Sequence, residues 1–223
     1  MNIYGIHPAD SDLAFLHQLN IDFAQKHQSV YQYLRLTPDY QSHNDSIELL
    51  KKIDSGSIFF FCHALDRSIR GCNCQISEFK EFRYGPFVSP ERNIEIFKGK
   101  SVFALACFSE KLGYAAIDAG ATVYLGFGNI PLYNEHNSDK TTEKLLKDEL
   151  TDILCAAINF SIENNTTFNQ LSNNLNLLFE RKRYNLLSCH GHVRQRNIQV
   201  SNALSIIKNG MKMFGNGDIK ILV

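Results

Sequence analysis

Two unbroken apolar runs limit what this chain can fold into. They are "SIFFFCHA" at 57–64 and "KSVFALACFS" at 100–109. Each run has the length of a strand, and neither alternates between apolar and polar residues. Such a run is typical of a strand covered on both faces, as in a parallel sheet between two layers of helices. The two runs therefore predict an α/β fold.

Strand and helix patterns alternate around these two runs. Further strands are predicted in "NIYGI" (2–6), "SVYQYLRL" (29–36) and "TVYLGFG" (122–128). Helices are predicted in "DSDLAFLHQLNIDFAQKH" (10–27), "NDSIELLKKIDSG" (44–56) and "EKLGYAAIDAGA" (110–121). The first has Asp10 or Ser11 as its N-cap, and the second has Asn44 or Asp45. This alternation predicts a mostly parallel sheet flanked by helices on both faces.

The rest of the chain adds a hairpin and further helices. The segment "SIRGCNCQISEF" (68–79) is predicted to form a hairpin or excursion from the sheet. From Lys140 onwards the pattern is helical in three successive stretches, and the final "DIKILV" (218–223) could form a terminal strand. A length of 223 residues suits a single domain spanning 1–223.

Composition excludes several classes of function. Lys and Arg together number 23, as do Asp and Glu, so the formal net charge is zero and nothing indicates nucleic-acid or membrane-surface binding. No apolar stretch approaches the roughly 20 residues of a membrane span. The start "MNIYGIHPADSD" has no secretory signal. Three of the six cysteines lie in apolar runs, which favours reduced thiols and a cytoplasmic location.

The two apolar runs end on residues that can perform chemistry together. His63 follows the last apolar residues of the first strand, and Cys107 is the last residue of the apolar stretch "VFALAC" in the second. In open α/β sheets, functional groups collect at the carboxyl ends of the strands. If the two strands are adjacent, about 4.8 Å separates their axes and the imidazole can reach the thiol. A Cys–His pair of this kind is the minimum for nucleophilic catalysis. A helix beginning near Glu110 would favour the thiolate.

Several motifs resemble one family of enzymes. They are the strand ending in His63, the "ACFS" that contains Cys107, the following "LGYAAIDAGATVYLGF" and the preceding "FVSPERNIEIFKGK". Together they resemble the caspase-fold cysteine peptidases, and within that fold the CHAT-domain branch related to caspases and separases. The resemblance covers residues 57–185 and is most specific around "ACFS" and "AGATVYLGF".

The resemblance implies an endopeptidase in which Cys107 is the nucleophile and His63 transfers protons. It also implies an oxyanion site formed by the backbone N–H groups of Ala64 and Cys107, with no metal or cofactor. Its partners would be a protein substrate and a regulatory or sensor protein, in a bacterial defence or stress response. Four residues are predicted to line the substrate cleft: Asp66, Ser109, Gly126 and Phe127.

Other interpretations remain open at this stage. The family has Gly after the histidine, whereas Ala64 stands here and resists a positive φ. The main alternative is therefore a catalytically inactive module of the same fold, regulated by a partner protein. A nucleotide-binding domain is disfavoured because no Gly-rich turn follows the first strand. His190–Gly191 is a weaker second histidine candidate. Cys72, Cys74, Cys189, His190 and His192 could form a zinc site, although C-x-C spacing is unusual for one.

Overall fold

A computed structural model describes residues 2–77, 80–132, 140–189, 191 and 193–222. The strands are β1 (Ile3–Pro8), β2 (Tyr31–Leu36), β3 (Gly56–Phe61), β4 (Ala64–Leu65), β5 (Ser68–Arg70), β6 (Asn73–Ser77), β7 (Lys80–Arg83), β8 (Pro86–Val88), β9 (Lys100–Leu105), β10 (Val123–Gly126) and β11 (Lys212–Gly215). The α-helices are α1 (Phe15–Lys26), α2 (Tyr40–Lys52), α3 (Gly113–Asp118), α4 (Lys140–Glu163), α5 (Phe168–Ser188) and α6 (Arg194–Gly210). Within these described ranges, no helix has the length and apolar character to cross a membrane.

Six of the strands form one sheet, in the order β11-β10-β9-β3-β1-β2. All pairings from β2 through β1, β3 and β9 to β10 are parallel. The last strand, β11, pairs with β10 in the antiparallel direction. The predicted α/β class and mostly parallel sheet are therefore confirmed. The two apolar runs of the sequence form β3 and β9, which are adjacent at the centre of the sheet.

One face of the sheet packs against four helices. Phe59 and Phe61 of β3 and Phe103 of β9 lie in a buried cluster with apolar residues of α1, α4, α5 and α6. Phe59 and Phe103 are in contact, with ring centroids 5.1 Å apart. Because successive strand residues point to opposite faces, the alternate residues of the same strands pack against the helices on the other face.

The other face packs against α2, α3 and a short 3₁₀ turn. Ile58 and Phe60 of β3 and Val102 of β9 belong to a second buried cluster, together with Leu50 of α2 and Ala116 of α3. Burial on both faces explains why the two central strands carry four consecutive apolar residues each, at 58–61 and 102–105, rather than alternate ones. The predicted arrangement of helices on both faces is confirmed.

Three local predictions were wrong. The first α-helix begins at Phe15, after a separate 3₁₀ turn at Ser11–Leu13, and its N-cap is Ala14 rather than Asp10 or Ser11.

The second helix begins at Tyr40 rather than near Asn44, because the Asp39 side chain accepts a hydrogen bond from the Ser42 N–H (2.7 Å) and caps it there. The late strand is Lys212–Gly215, which completes the edge beside β10, and not "DIKILV". In that final segment the Ile221 carbonyl accepts a hydrogen bond from the Ser57 hydroxyl (2.6 Å).

Candidate active site

The sheet register brings His63 and Cys107 to one level at one edge. Phe61 of β3 pairs with Leu105 of β9, and the Cys62 N–H donates to the Leu105 carbonyl at 3.2 Å. His63 and Cys107 each lie two residues beyond this last pair. Both therefore stand at the carboxyl ends of adjacent parallel strands, which is the placement expected from the sequence.

His63 and Cys107 also line the same pocket, which has a volume of about 60 Å³. The other lining residues are Leu13, Phe15, Leu16, Cys62, Leu105, Ala106, Ile130, Leu132 and Leu150. The walls are thus almost wholly apolar. Since one water occupies about 30 Å³ of liquid, the pocket has room for a group of a few heavy atoms.

The Cys107 thiol is half-buried and uncharged at neutral pH. Its Sγ donates a weak hydrogen bond to the Ile130 carbonyl at 3.5 Å. Burial raises the pKa of Cys107 above its ordinary value, although backbone hydrogen bonds at Ile130 and at Cys107 itself oppose the rise. This direction is opposite to the one expected from a following helix. The segment after Cys107 is a single 3₁₀ turn, Ser109–Leu112, followed by the six-residue α3. So short a helix does not offset burial.

The imidazole of His63 is held by a carboxylate. Its Nε2 lies 2.9 Å from Oδ2 of Asp12, a residue of the 3₁₀ turn between β1 and α1. Burial alone would raise the pKa of Asp12, but the hydrogen bond from His63 and the nearby imidazole charge bring it below its ordinary value. Asp12 is therefore ionised at neutral pH. An ionised carboxylate of this kind fixes the orientation of the ring and stabilises the imidazolium form.

A second carboxylate, Asp10, lies beside the same ring. Its Oδ2 is 3.9 Å from Nε2 of His63, and its side chain is only 3% exposed. The backbone N–H of Asn73 (2.7 Å) and the Cys72 thiol (3.3 Å) both donate to its other oxygen, Oδ1. Asp10 precedes the 3₁₀ turn, as a cap would, but its side chain makes no capping hydrogen bond.

Sequence reasoning missed both carboxylates as members of the site. The sequence predicts Asp10 to be a helix cap and assigns no role to Asp12. The signal was present in "HPADSDL" (7–13), where two acidic residues follow directly after a predicted strand. Since β1 is parallel to β3 and adjacent to it, the residues after β1 must reach the same edge as His63.

Ala64 and Asp66 belong to a small hairpin that follows His63. Ala64 pairs with Ile69 and Leu65 with Ser68, so β4 and β5 are joined by the two residues Asp66 and Arg67. These two have φ values of 45° and 62°, which is typical of a type I′ turn. Ala64 has no positive φ, so this backbone does not require the glycine of the family pattern. Asp66 is exposed at the tip of the turn and does not line the pocket.

The other three cleft candidates are buried beneath the site. The Ser109 hydroxyl donates to the Ala104 carbonyl (2.6 Å) and accepts from the Phe127 N–H (2.9 Å), which ties the end of β9 to the end of β10. The Phe127 ring packs edge-on against Phe103, with centroids 5.5 Å apart. At Gly126 an added Cβ would lie 2.8 Å from backbone atoms of Glu110. None of the three lines the pocket.

Two of the cysteines in the predicted zinc site lie in different environments. Cys72 is buried beside Asp10, whereas Cys189 is exposed at the end of α5. His190, His192 and the side chain of Cys74 lie outside the described residues. Gly191 has a φ of 88°.

One edge of the sheet thus carries a thiol, an imidazole and two carboxylates. The Asp12 carboxylate lies within hydrogen-bond distance of the His63 ring, and that ring shares a pocket with the Cys107 thiol, as the groups of a Cys–His–Asp site would. The arrangement can also bind a cation, because two carboxylate oxygens and a ring nitrogen converge. No protein-family model and no curated protein matches the chain.

Proposed function

We propose that the chain is a cysteine endopeptidase in which Cys107 and His63 carry out acyl transfer. One observation carries this proposal: the two residues follow adjacent parallel strands at one level and line a common pocket. The resemblance to caspase-fold peptidases supplies the rest of the proposal. It implies a protein substrate, control by a regulatory or sensor protein, and a cytoplasmic role in bacterial defence or stress.

The state of the thiol decides how the first step proceeds. Because burial raises the pKa of Cys107, its proton must leave during the attack rather than before it. His63 uses Nε2 to donate to Asp12, so Nδ1 is the ring nitrogen with a lone pair to accept that proton. Asp12 then stabilises the imidazolium that forms, as the carboxylate of a catalytic triad does.

The remaining steps pass one proton between Cys107, His63 and the substrate. Cys107 Sγ bonds to the carbonyl carbon as its proton passes to His63, and backbone N–H groups at Ala64 and Cys107 stabilise the oxyanion. The imidazolium returns the proton to the amine as the C–N bond breaks. Water, deprotonated by the same imidazole, then hydrolyses the thioester and releases the acid and the free thiol.

The pocket indicates what kind of side chain the substrate places beside the thiol. Its volume of about 60 Å³ and its mostly aliphatic walls suit a small aliphatic group. The ionisable residues that line the pocket are His63, Cys62 and Cys107. The lining contains no acidic residue, lysine or arginine that would pair with a charged substrate side chain. We therefore propose cleavage beside a small aliphatic residue.

A non-catalytic interaction module is the second candidate. It is favoured by the same raised pKa of Cys107 and by the hydrogen bond that the thiol makes to Ile130. Both features are also those of an ordinary buried cysteine. The two candidates differ in whether Cys107 reacts faster than other cysteines and whether that reactivity depends on His63.

Labelling with a thiol-reactive acyl probe separates the two candidates. Cys189 is exposed and would react without selectivity, so the experiment uses a Cys189→Ser background. We expect labelling at Cys107, located by mass spectrometry, and loss of that labelling in Cys107→Ala. His63→Gln should slow it by about 100-fold or more, which is what a general base contributes. Equal labelling of the Cys107→Ala variant, or a rate independent of His63, would favour the interaction module.

A further inference from the structure

Three side chains of the type that bind metals converge at the edge of the sheet. Asp10, Asp12 and His63 each offer one atom, and the three atoms lie within 4.8 Å of one another. The separations from Nε2 of His63 are 2.9 Å to Asp12 Oδ2 and 3.9 Å to Asp10 Oδ2. The three residues come from two segments, the loop after β1 and the end of β3, which the parallel pairing of these strands holds together.

The buried carboxylate of Asp10 is the observation that points to a ligand. Its Oδ1 is fixed by Asn73 and Cys72, but its Oδ2 accepts no hydrogen bond from any described residue. A buried carboxylate oxygen without a hydrogen bond is costly, and the cost increases when the oxygen is charged. This oxygen faces the His63 ring and Asp12. A cation held between the three groups would satisfy it.

The distances match the size of a small divalent metal. Zn²⁺ binds oxygen and nitrogen at about 2.0–2.2 Å, so two ligands of a tetrahedral site lie roughly 3.3–3.6 Å apart. The observed 2.9 Å and 3.9 Å bracket this range, and shifts of about half an ångström would equalise them. A site with one imidazole nitrogen and two carboxylate oxygens suits Zn²⁺ and similar transition metals better than Mg²⁺, which prefers oxygen ligands alone.

We propose that Asp10, Asp12 and His63 form a binding site for a divalent transition metal, with Zn²⁺ as the representative ion. The hydrogen bonds to Asp10 Oδ1 are the outer-shell support that metal ligands usually have. Asp12 is 37% and His63 32% exposed, so an ion can enter from solvent and keep water in its fourth position. This proposal does not depend on the peptidase activity.

Binding of Zn²⁺ to the purified chain tests the proposal directly. Equilibrium dialysis gives the stoichiometry and affinity, and the visible spectrum of a Co²⁺-loaded sample reports on the coordination geometry. We expect one ion per chain. Asp12→Asn and His63→Gln should each weaken binding by at least about tenfold, because even the loss of an outer-shell partner costs 10–100-fold. Both positions are partly exposed, so both variants should fold, and circular dichroism checks this.

A matched control addresses the other metal-binding residues in the sequence. The triple variant Cys189→Ser, His190→Gln, His192→Gln should bind Zn²⁺ as the parent does. The proposal is overturned if the folded parent binds no ion. It is equally overturned if Asp12→Asn and His63→Gln bind as tightly as the parent, or if only the triple variant loses the ion.

Discussion

Replacing Asp12 with Asn should slow the reaction of Cys107 by about tenfold or more. The carboxylate lies 2.9 Å from His63 Nε2, and in the proposed mechanism it stabilises the imidazolium that forms during attack. Two unit charges at that separation attract by about 1.4 kcal/mol in the dielectric of water and by about 6 kcal/mol at an effective dielectric of 20. Because both side chains are about one-third exposed, the lower figure applies. A loss of about 1.4 kcal/mol from the transition state is tenfold in rate.

The assay is the pseudo-first-order rate of acyl-probe labelling at Cys107, measured by intact-protein mass spectrometry in the Cys189→Ser background. Asp22→Asn is the matched control, since it makes the same change at an exposed carboxylate on α1. The Asp22 carboxylate accepts a hydrogen bond from the Gln18 side chain, far from the thiol in the sequence and on a different element. We expect its rate to remain within about twofold of the parent. If Asp12→Asn stays within that same range, or Asp22→Asn slows as much, the role assigned to Asp12 is wrong.

Three further predictions concern stability, each measured by urea denaturation. Ser109→Ala should lower the free energy of unfolding by about 1–3 kcal/mol because it leaves buried backbone groups unpaired, whereas the exposed Ser188→Ala should change it by less than about 0.5 kcal/mol. Burial lowers the pKa of His7 from 6.5 to about 4, so the unfolded chain binds more protons than the folded one between those pH values. The free energy of unfolding should therefore fall by about 3 kcal/mol as the pH drops from 6.5 to 4. The same pH dependence in His7→Gln would contradict this. Asp39→Ala should cost about 1 kcal/mol through loss of the α2 cap, and an equal cost for Asp45→Ala would refute the observed helix start.

The central part of the fold was predictable because its sequence signal is strong. Strands buried on both faces leave unbroken apolar runs, and the residues that end them identify the functional edge. Those two rules place His63 and Cys107 correctly at the ends of β3 and β9. The resemblance to caspase-fold peptidases itself stays a prediction.

The surroundings of the pair were not predictable from local patterns. An acidic residue before a helix has the signature of a cap, and only the three-dimensional structure shows that Asp10 bonds to Asn73 and faces His63. The raised pKa of Cys107 depends on how deeply the fold buries the thiol, which no local pattern encodes. Ser109 lies two residues after Cys107, where a cleft residue is expected, yet its hydroxyl bonds to the backbone of two strands.

The antiparallel strand β11 has a consequence for how the chain is synthesised. It covers the outer edge of β10, but three long helices separate the two strands along the sequence. While the ribosome is still making those helices, β10 presents an unpaired edge, and such edges attract other strands. Correct folding in the cell therefore depends on holding that edge apart from neighbouring chains until residues 212–215 emerge. Substitutions that slow the docking of β11 should lower the yield of soluble protein more than they lower its final stability.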